Sequence, residues 1–219
     1  MNSLLPREPA ELAPGAVHVP EWLGIERQIE LIEACRGWAR GPVPIASPVL
    51  PSGQTMSLKM VCLGWYWKPY SYVKTVDDAG TQVEAFPEWL GDLARQAVTD
   101  AWHCQEAAAV YRPDAALVNF YDEKAKLGMH QDKDEATDAP VVSLSLGDSC
   151  VFRFGNEETR NRPYTDIELV SGDLFVFGGE SRFSYHGVTK VLPGTADPRL
   201  GLEAGRLNIT IRETGLERA

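Results

Sequence analysis

The feature that most limits what this chain can become is a succession of short β-type runs between Pro113 and Arg212, each closed by Gly, Asn, Pro or Asp. Ala115–Tyr121 opens the series, and Pro140–Gly147 follows with Ser alternating against Leu. Cys150–Phe154, Ile167–Val170, Asp173–Phe177 and Arg206–Arg212 complete it. Short strands at this spacing, separated by turn residues, predict a sandwich or a closed β architecture such as a jelly roll.

The N-terminal half has another character. Residues 1–19 are rich in Pro and Glu and then apolar, and they read as a loosely docked arm. From Pro20 to about Arg40, Ile25, Ile29 and Ile32 recur at helical spacing, with Gly41-Pro42 as the stop. Thr55–Cys62 alternates, placing Met56, Leu58, Met60 and Cys62 on one face of a half-buried strand. A second helix runs from Pro87 to Trp102, its stripe formed by Leu90, Leu93, Ala94, Ala97, Val98 and Ala101. Between strand and helix lie Trp65, Tyr66, Trp67, Tyr70 and Tyr72, punctuated by Gly64 and Pro69. Rings placed so irregularly either seal a satellite core or stack on a flat ligand.

Composition narrows the function. A net charge of −10 argues against a protein that grips nucleic acid through a broad basic surface, though not against a small local patch. No apolar run is long enough to span a bilayer, and the first residues lack signal-peptide architecture. Cysteines 35, 62, 104 and 150 form no C-x-x-C pattern, so they read as reduced thiols of a cytoplasmic protein.

Chemistry concentrates in three places. His130 and Asp132 stand two residues apart on an extended run, which points both side chains to one face. A His and a carboxylate are two ligands of the 2-His-1-carboxylate arrangement that leaves open positions on Fe(II). The third ligand must come from elsewhere, and His186 offers itself, since His18 and His103 lie outside this part of the chain. The plainer reading makes His130 and Asp132 a surface pair and His186 a core residue. In the last strand, Arg206, Asn208, Thr210 and Arg212 share one face, opposite Leu207, Ile209 and Ile211. A polar face of this kind belongs either to solvent or to a site. Together with Asn119 and Tyr121, its two Arg would suit a small dicarboxylate, which a guanidinium fork fits bidentately.

With these residues in view, the sequence resembles the AlkB family of Fe(II)/2-oxoglutarate-dependent dioxygenases, the bacterial demethylases of alkylated nucleic acids. The likeness rests on N-x-Y at Asn119 and Tyr121, on His130-Gln131-Asp132-Lys133-Asp134-Glu135, on His186, and on R-x-N-x-T-x-R over 206–212. It implies a mainly β fold with flanking helices, one compact unit made of a double-stranded β-helix (jelly-roll) core over 113–214 beneath an arm, helices and a nucleotide-recognition lid over 1–112. It implies that His130, Asp132 and His186 hold iron, and that Arg206, with Tyr121 and Asn208, binds the distal carboxylate of 2-oxoglutarate. Asn119 and Arg212 would lie near the other end of that cosubstrate. Trp65 would stack on the target base opposite the His130 ring, with Tyr72 and Arg160 on substrate phosphate or ring. Asp134 would read the base, helped by Glu135. The implied reaction is O₂-dependent demethylation of bases such as N1-methyladenine and N3-methylcytosine, releasing formaldehyde, succinate and CO₂. The expected partner is single-stranded alkylated DNA or RNA, met by a monomer without any membrane. The alternatives are a dioxygenase of modified tRNA bases and a hydroxylase of proteins or small molecules from the same superfamily.

Overall fold

The structure, a computed structural model, describes residues 6–216. In chain order the elements are β1 (Ala10–Ala13), β2 (Ala16–Val19), α1 (Ile25–Trp38), β3 (Lys59–Leu63), β4 (Tyr66–Lys68) and β5 (Ser71–Val73). Then come α2 (Glu88–Trp102), α3 (Gln105–Val110), β6 (Ala115–Tyr121), β7 (Leu127–His130), β8 (Val141–Gly147) and β9 (Ser149–Phe154). β10 (Thr165–Leu169), β11 (Leu174–Phe177), β12 (His186–Leu192) and β13 (Arg206–Arg212) complete the chain. A seven-stranded antiparallel sheet in the order β1-β2-β11-β8-β13-β6-β3 faces a four-stranded one in the order β10-β9-β12-β7. This is the jelly roll that the strand pattern predicts, the double-stranded β-helix core that the resemblance implies, with β4 and β5 as a separate ribbon.

Period-two alternation builds two apolar layers from the large sheet. Leu207, Ile209 and Ile211, with Leu144, Leu146, Leu174 and Val176, turn outward onto Leu31, Ile32 and Cys35 of α1 and Leu90, Ala94 and Val98 of α2. Phe175 and Phe177 turn inward, against Phe152, Phe154 and Val188 of the small sheet. The polar face of β13 is therefore not a solvent face. Arg206, Asn208, Thr210 and Arg212 are all buried, looking into the space between the sheets.

Two local readings change. Residues 6–19 are not a loose arm, because β2 pairs with β11 in register, Val17 opposite Val176, and covers what would be a wholly buried strand's open edge, while residues 1–5 of that expected arm lie outside the described residues. Buried Asp173 anchors this hairpin: it accepts from Arg7 at 2.6 and 2.7 Å and contacts His18 Nε2 at 2.9 Å. The strand expected over 55–62 begins only at Lys59, where pairing with β6 starts. From the N-terminal half, β2 and β3 extend the core sheet. Among the described residues no helix is long and apolar enough to cross a membrane.

Candidate active site

The site sits at the mouth of the space between the sheets, in a cavity of about 280 Å³. His130 is the last residue of β7 and His186 the first of β12, and the antiparallel register sets them directly opposite each other. Gly187 permits this approach: a Cβ there would lie 2.5 Å from the Leu127 carbonyl oxygen. Each ring bonds through Nδ1 to the carbonyl two residues upstream, His130 to Gly128 at 2.9 Å and His186 to Ser184 at 3.0 Å. Both Nε2 atoms are thereby turned toward Asp132, at 3.5 and 3.6 Å from its carboxylate oxygens. A ring whose Nδ1–H is held by a carbonyl presents a lone pair at Nε2, the state a metal requires. Burial, with the neighbouring His130, moves the His186 imidazole down to about 4, which keeps it neutral. Burial alone would raise the Asp132 carboxyl, but Arg212, His186 and His130 outweigh it and hold it well below the usual carboxylate range. Arg212 Nη2 lies 2.7 Å from Asp132 Oδ2 as an ion pair without hydrogen-bond geometry, so that oxygen keeps an unmet acceptor capacity. Ligand atoms of the three side chains all lie within 4.8 Å of one another, the donor set that suits Fe(II).

A second unmet group lies deeper in the same cavity. Arg206 is 1% exposed; its Nη2 donates to Ser145 Oγ at 3.1 Å, while Nε and Nη1 have no partner. Its guanidinium lies 5.3 Å from the Tyr121 ring, the residue opposite it on β6. Buried donors without acceptors are rare and call for a ligand. Burial keeps the Tyr121 phenol protonated, hence a donor as well. Asn119 adds an unpaired buried Oδ1. Asn208 lines the cavity too, but its Nδ2 donates to Ser143 Oγ at 2.8 Å and to the Leu144 carbonyl at 3.1 Å. It shapes the wall and has no hydrogen left to donate to a carboxylate.

Residues 15–212 match the family described as the 2OG-Fe(II) oxygenase superfamily. The Salmonella typhimurium alpha-ketoglutarate-dependent dioxygenase AlkB is 38% identical over 208 residues, covering 92% of this chain and 91% of the relative. The chain belongs to the AlkB family. The solved structure of OsALKBH1 superposes with a TM-score of 0.83 at 34% identity, over 94% of this chain and 99% of that one. The Arabidopsis thaliana DNA N(6)-methyladenine demethylase ALKBH1D is 32% identical over 220 residues and 92% of this chain, which spans 50% of that longer relative. The metal triad and the Arg206 pocket fit the group that the superfamily's name implies. A metal would meet the unmet oxygen of Asp132, and a dicarboxylate would meet the unmet donors of Arg206.

On the substrate side, the AlkB-family chain arranges its aromatic residues differently from the sequence reading. Trp65 does not face the cavity. It is 8% exposed, packs with Cys62, Val83 and Leu117, and its Nε1 donates to Asp114 Oδ2 at 3.1 Å. Gly64, at φ +74° and with the Asp114 carbonyl oxygen 2.0 Å from where a Cβ would stand, makes the turn just before it. Trp67 and Tyr70 line the cavity instead. Tyr70, 66% exposed, sits between β4 and β5 at φ 72°, a backbone conformation disfavoured for a bulky residue. The Trp67 indole N–H donates to Asp134 Oδ2 at 2.8 Å.

Tyr72, which faces Trp67 across the ribbon, is buried and donates to Glu135 Oε1 at 2.8 Å, so it offers nothing to a phosphate. Glu135 is likewise withdrawn from the base. Its carboxylate is wholly buried between Arg182 at 3.0 Å and Arg212 at 2.9 Å. Burial pushes its carboxyl up, and Arg212 with Arg182 more than reverses this. Asp134, Lys133 and Arg160 do line the cavity, Arg160 with its guanidinium 5.5 Å from the Tyr185 ring. Period and motif singled out His130, Asp132, His186 and Arg206, which the structure brings to one cavity. They missed Trp67, which only its membership of the aromatic cluster marked, and Arg182, which nothing in the sequence marked.

Proposed function

We propose that the protein is an Fe(II)/2-oxoglutarate-dependent dioxygenase that removes N-linked methyl groups from bases of single-stranded DNA or RNA, acting as a monomer. The observation that carries this reading is the content of one cavity: a His-Asp-His triad, an unpaired buried guanidinium, and two aromatic rings beside a carboxylate. Iron with 2-oxoglutarate and O₂ would supply the oxidation of the methyl group, with formaldehyde, succinate and CO₂ as products.

The chain's own residues do the rest. His130, Asp132 and His186 hold the metal, and Arg206 with the Tyr121 hydroxyl receives the far carboxylate of the cosubstrate. Leu50, Met56, Leu58 and Met60 line one wall with apolar side chains, which keeps bulk water from the reacting atoms. N1-methyladenine and N3-methylcytosine are cations, so an aromatic face and an ionised carboxylate favour them over neutral bases. The Trp67 and Tyr70 rings supply the face, and the Asp134 oxygen not bonded to Trp67 can accept from the exocyclic amine. Lys133 and Arg160 line the same cavity and would pair with the phosphates beside the target.

The test is incubation of the protein with Fe(II), 2-oxoglutarate and matched methylated DNA and RNA strands, followed by formaldehyde release and strand mass. Loss of one methylene mass from the methylated strand is expected. Succinate formation with no change in any methylated strand would reject the substrate assignment and favour a hydroxylase of the same superfamily.

A further inference from the structure

The triad is divided between two stretches of chain, and strand pairing holds only part of it. The register of β7 and β12 fixes His130 against His186, but β7 ends at His130. Asp132 lies in the irregular segment beyond, where no ladder positions it. Three contacts from one side chain hold that segment. Arg182 Nη1 donates to the Asp132 carbonyl at 2.5 Å, Nε to the Ala139 carbonyl at 2.7 Å, and Nη2 to Glu135 Oε2 at 3.0 Å. Arg182 is 1% exposed and precedes His186 by only four residues in the sequence. The neighbouring Gln131 ties the same two segments in the other direction, its Nε2 donating to the Phe183 carbonyl at 2.7 Å.

We propose that Arg182 is a positioning residue that fixes the Asp132 segment against the His186 segment and so sets the metal-binding geometry. This rests on reading His130, Asp132 and His186 as the metal ligands. The guanidinium suits the task because its donors lie in one rigid plane, so three acceptors on one loop can adopt only one relation to it. The contact at the Asp132 carbonyl holds the backbone of the residue whose carboxylate binds the metal. The contact at Glu135 extends the clamp to Arg212, which pairs with that carboxylate from the other side. A lysine there would keep the charge but could not reach three acceptors in fixed directions.

The test is calorimetric titration of Mn(II) into the full chain without O₂ or cosubstrate, read beside the melting temperature. Arg182→Lys should lower Mn(II) affinity by about 10- to 100-fold, the usual effect of losing a group that orients a ligand. Glu135→Gln, which leaves both carbonyl contacts of Arg182 in place, should lower it less, and it decides the matter if Arg182→Lys does not fold. Asp173→Asn, which loosens the buried anchor of β2 far from the triad, should lower the melting temperature and leave Mn(II) affinity unchanged. Wild-type affinity in both clamp variants overturns the proposal, as does an equal loss in Asp173→Asn, because then any loosening of the fold would suffice. Failure of the wild type to bind Mn(II) would instead overturn the ligand assignment beneath it.

Discussion

Replacing Arg206 by Ala isolates the cosubstrate pocket. The guanidinium is 1% exposed and two of its nitrogens, Nε and Nη1, have no protein partner. Both are charged donors with no acceptor in the protein, and a buried guanidinium in that state binds a carboxylate through charge-assisted hydrogen bonds. Truncating one member of a desolvated charge pair of this kind costs about 2–5 kcal/mol, or roughly 30- to several-thousand-fold in Kd. The metal would still hold the other end of 2-oxoglutarate, so the lower part of that range is expected. Arg206→Lys should lose less, about tenfold, since it restores the charge but not the fork. The assay is calorimetric binding of 2-oxoglutarate to the Mn(II)-loaded protein without O₂, with Mn(II) affinity as the control for an intact triad. Unchanged 2-oxoglutarate affinity in Arg206→Ala, with oligonucleotide binding lost instead, would refute the reasoning and assign Arg206 to the substrate.

The two tryptophans of the lid should separate cleanly. Trp67→Ala should weaken binding of a methylated single strand by the worth of one stacked base, about 1–3 kcal/mol. Trp65→Ala should cost about 3–5 kcal/mol of stability instead, and equal effects of both on binding would undo the assignment. Affinity should depend weakly on salt, because among the described residues the cations lining the cavity are Lys133 and Arg160, apart from the buried Arg206 and Arg212. At about −0.7 per phosphate for a single strand, a log–log slope near −1.4 is expected, and a slope that steepens with strand length would reveal a basic groove elsewhere. Acid should loosen the β2 hairpin. Burial pushes the Asp173 carboxyl up, but contacts with His18 and Arg7 outweigh it and lower it from 3.8. A carboxyl lowered on folding stabilises the native state above its unfolded value and ceases to do so as the pH falls through its folded value. The melting temperature of Asp173→Asn should therefore lie below that of the wild type at neutral pH and approach it below about pH 4. A difference that persists undiminished into acid would show that the charge is not what matters.

What the sequence determined by itself is what short-range periodicity can carry. Period two placed Arg206, Asn208, Thr210 and Arg212 on one face, and that relation survives folding because a strand's alternation is local, whereas His130 and Asp132 meet although β7 ends at His130, the Asp132 segment being held by Arg182. The same locality left the destination of that polar face open, since burial of β13 on both sides depends on β6, β8 and the layers above and below. Tertiary structure alone chose Trp67 over Trp65 for the cavity. The two lie two residues apart in one aromatic cluster, and the turn at Gly64 against the Asp114 carbonyl separates their surroundings. It also withdrew Tyr72 and Glu135 from the substrate side, because each found a partner that is remote in sequence, Glu135 for the tyrosine and Arg182 with Arg212 for the glutamate. Likewise β2 joined the sheet only because β11, far along the chain, left an edge to be paired, with His18 opposite Phe175. Alternation and motif spacing are written in neighbouring residues. Which buried charge meets which partner is settled by contacts across long stretches of chain, where removing each group from water must be matched by a hydrogen bond or an opposite charge.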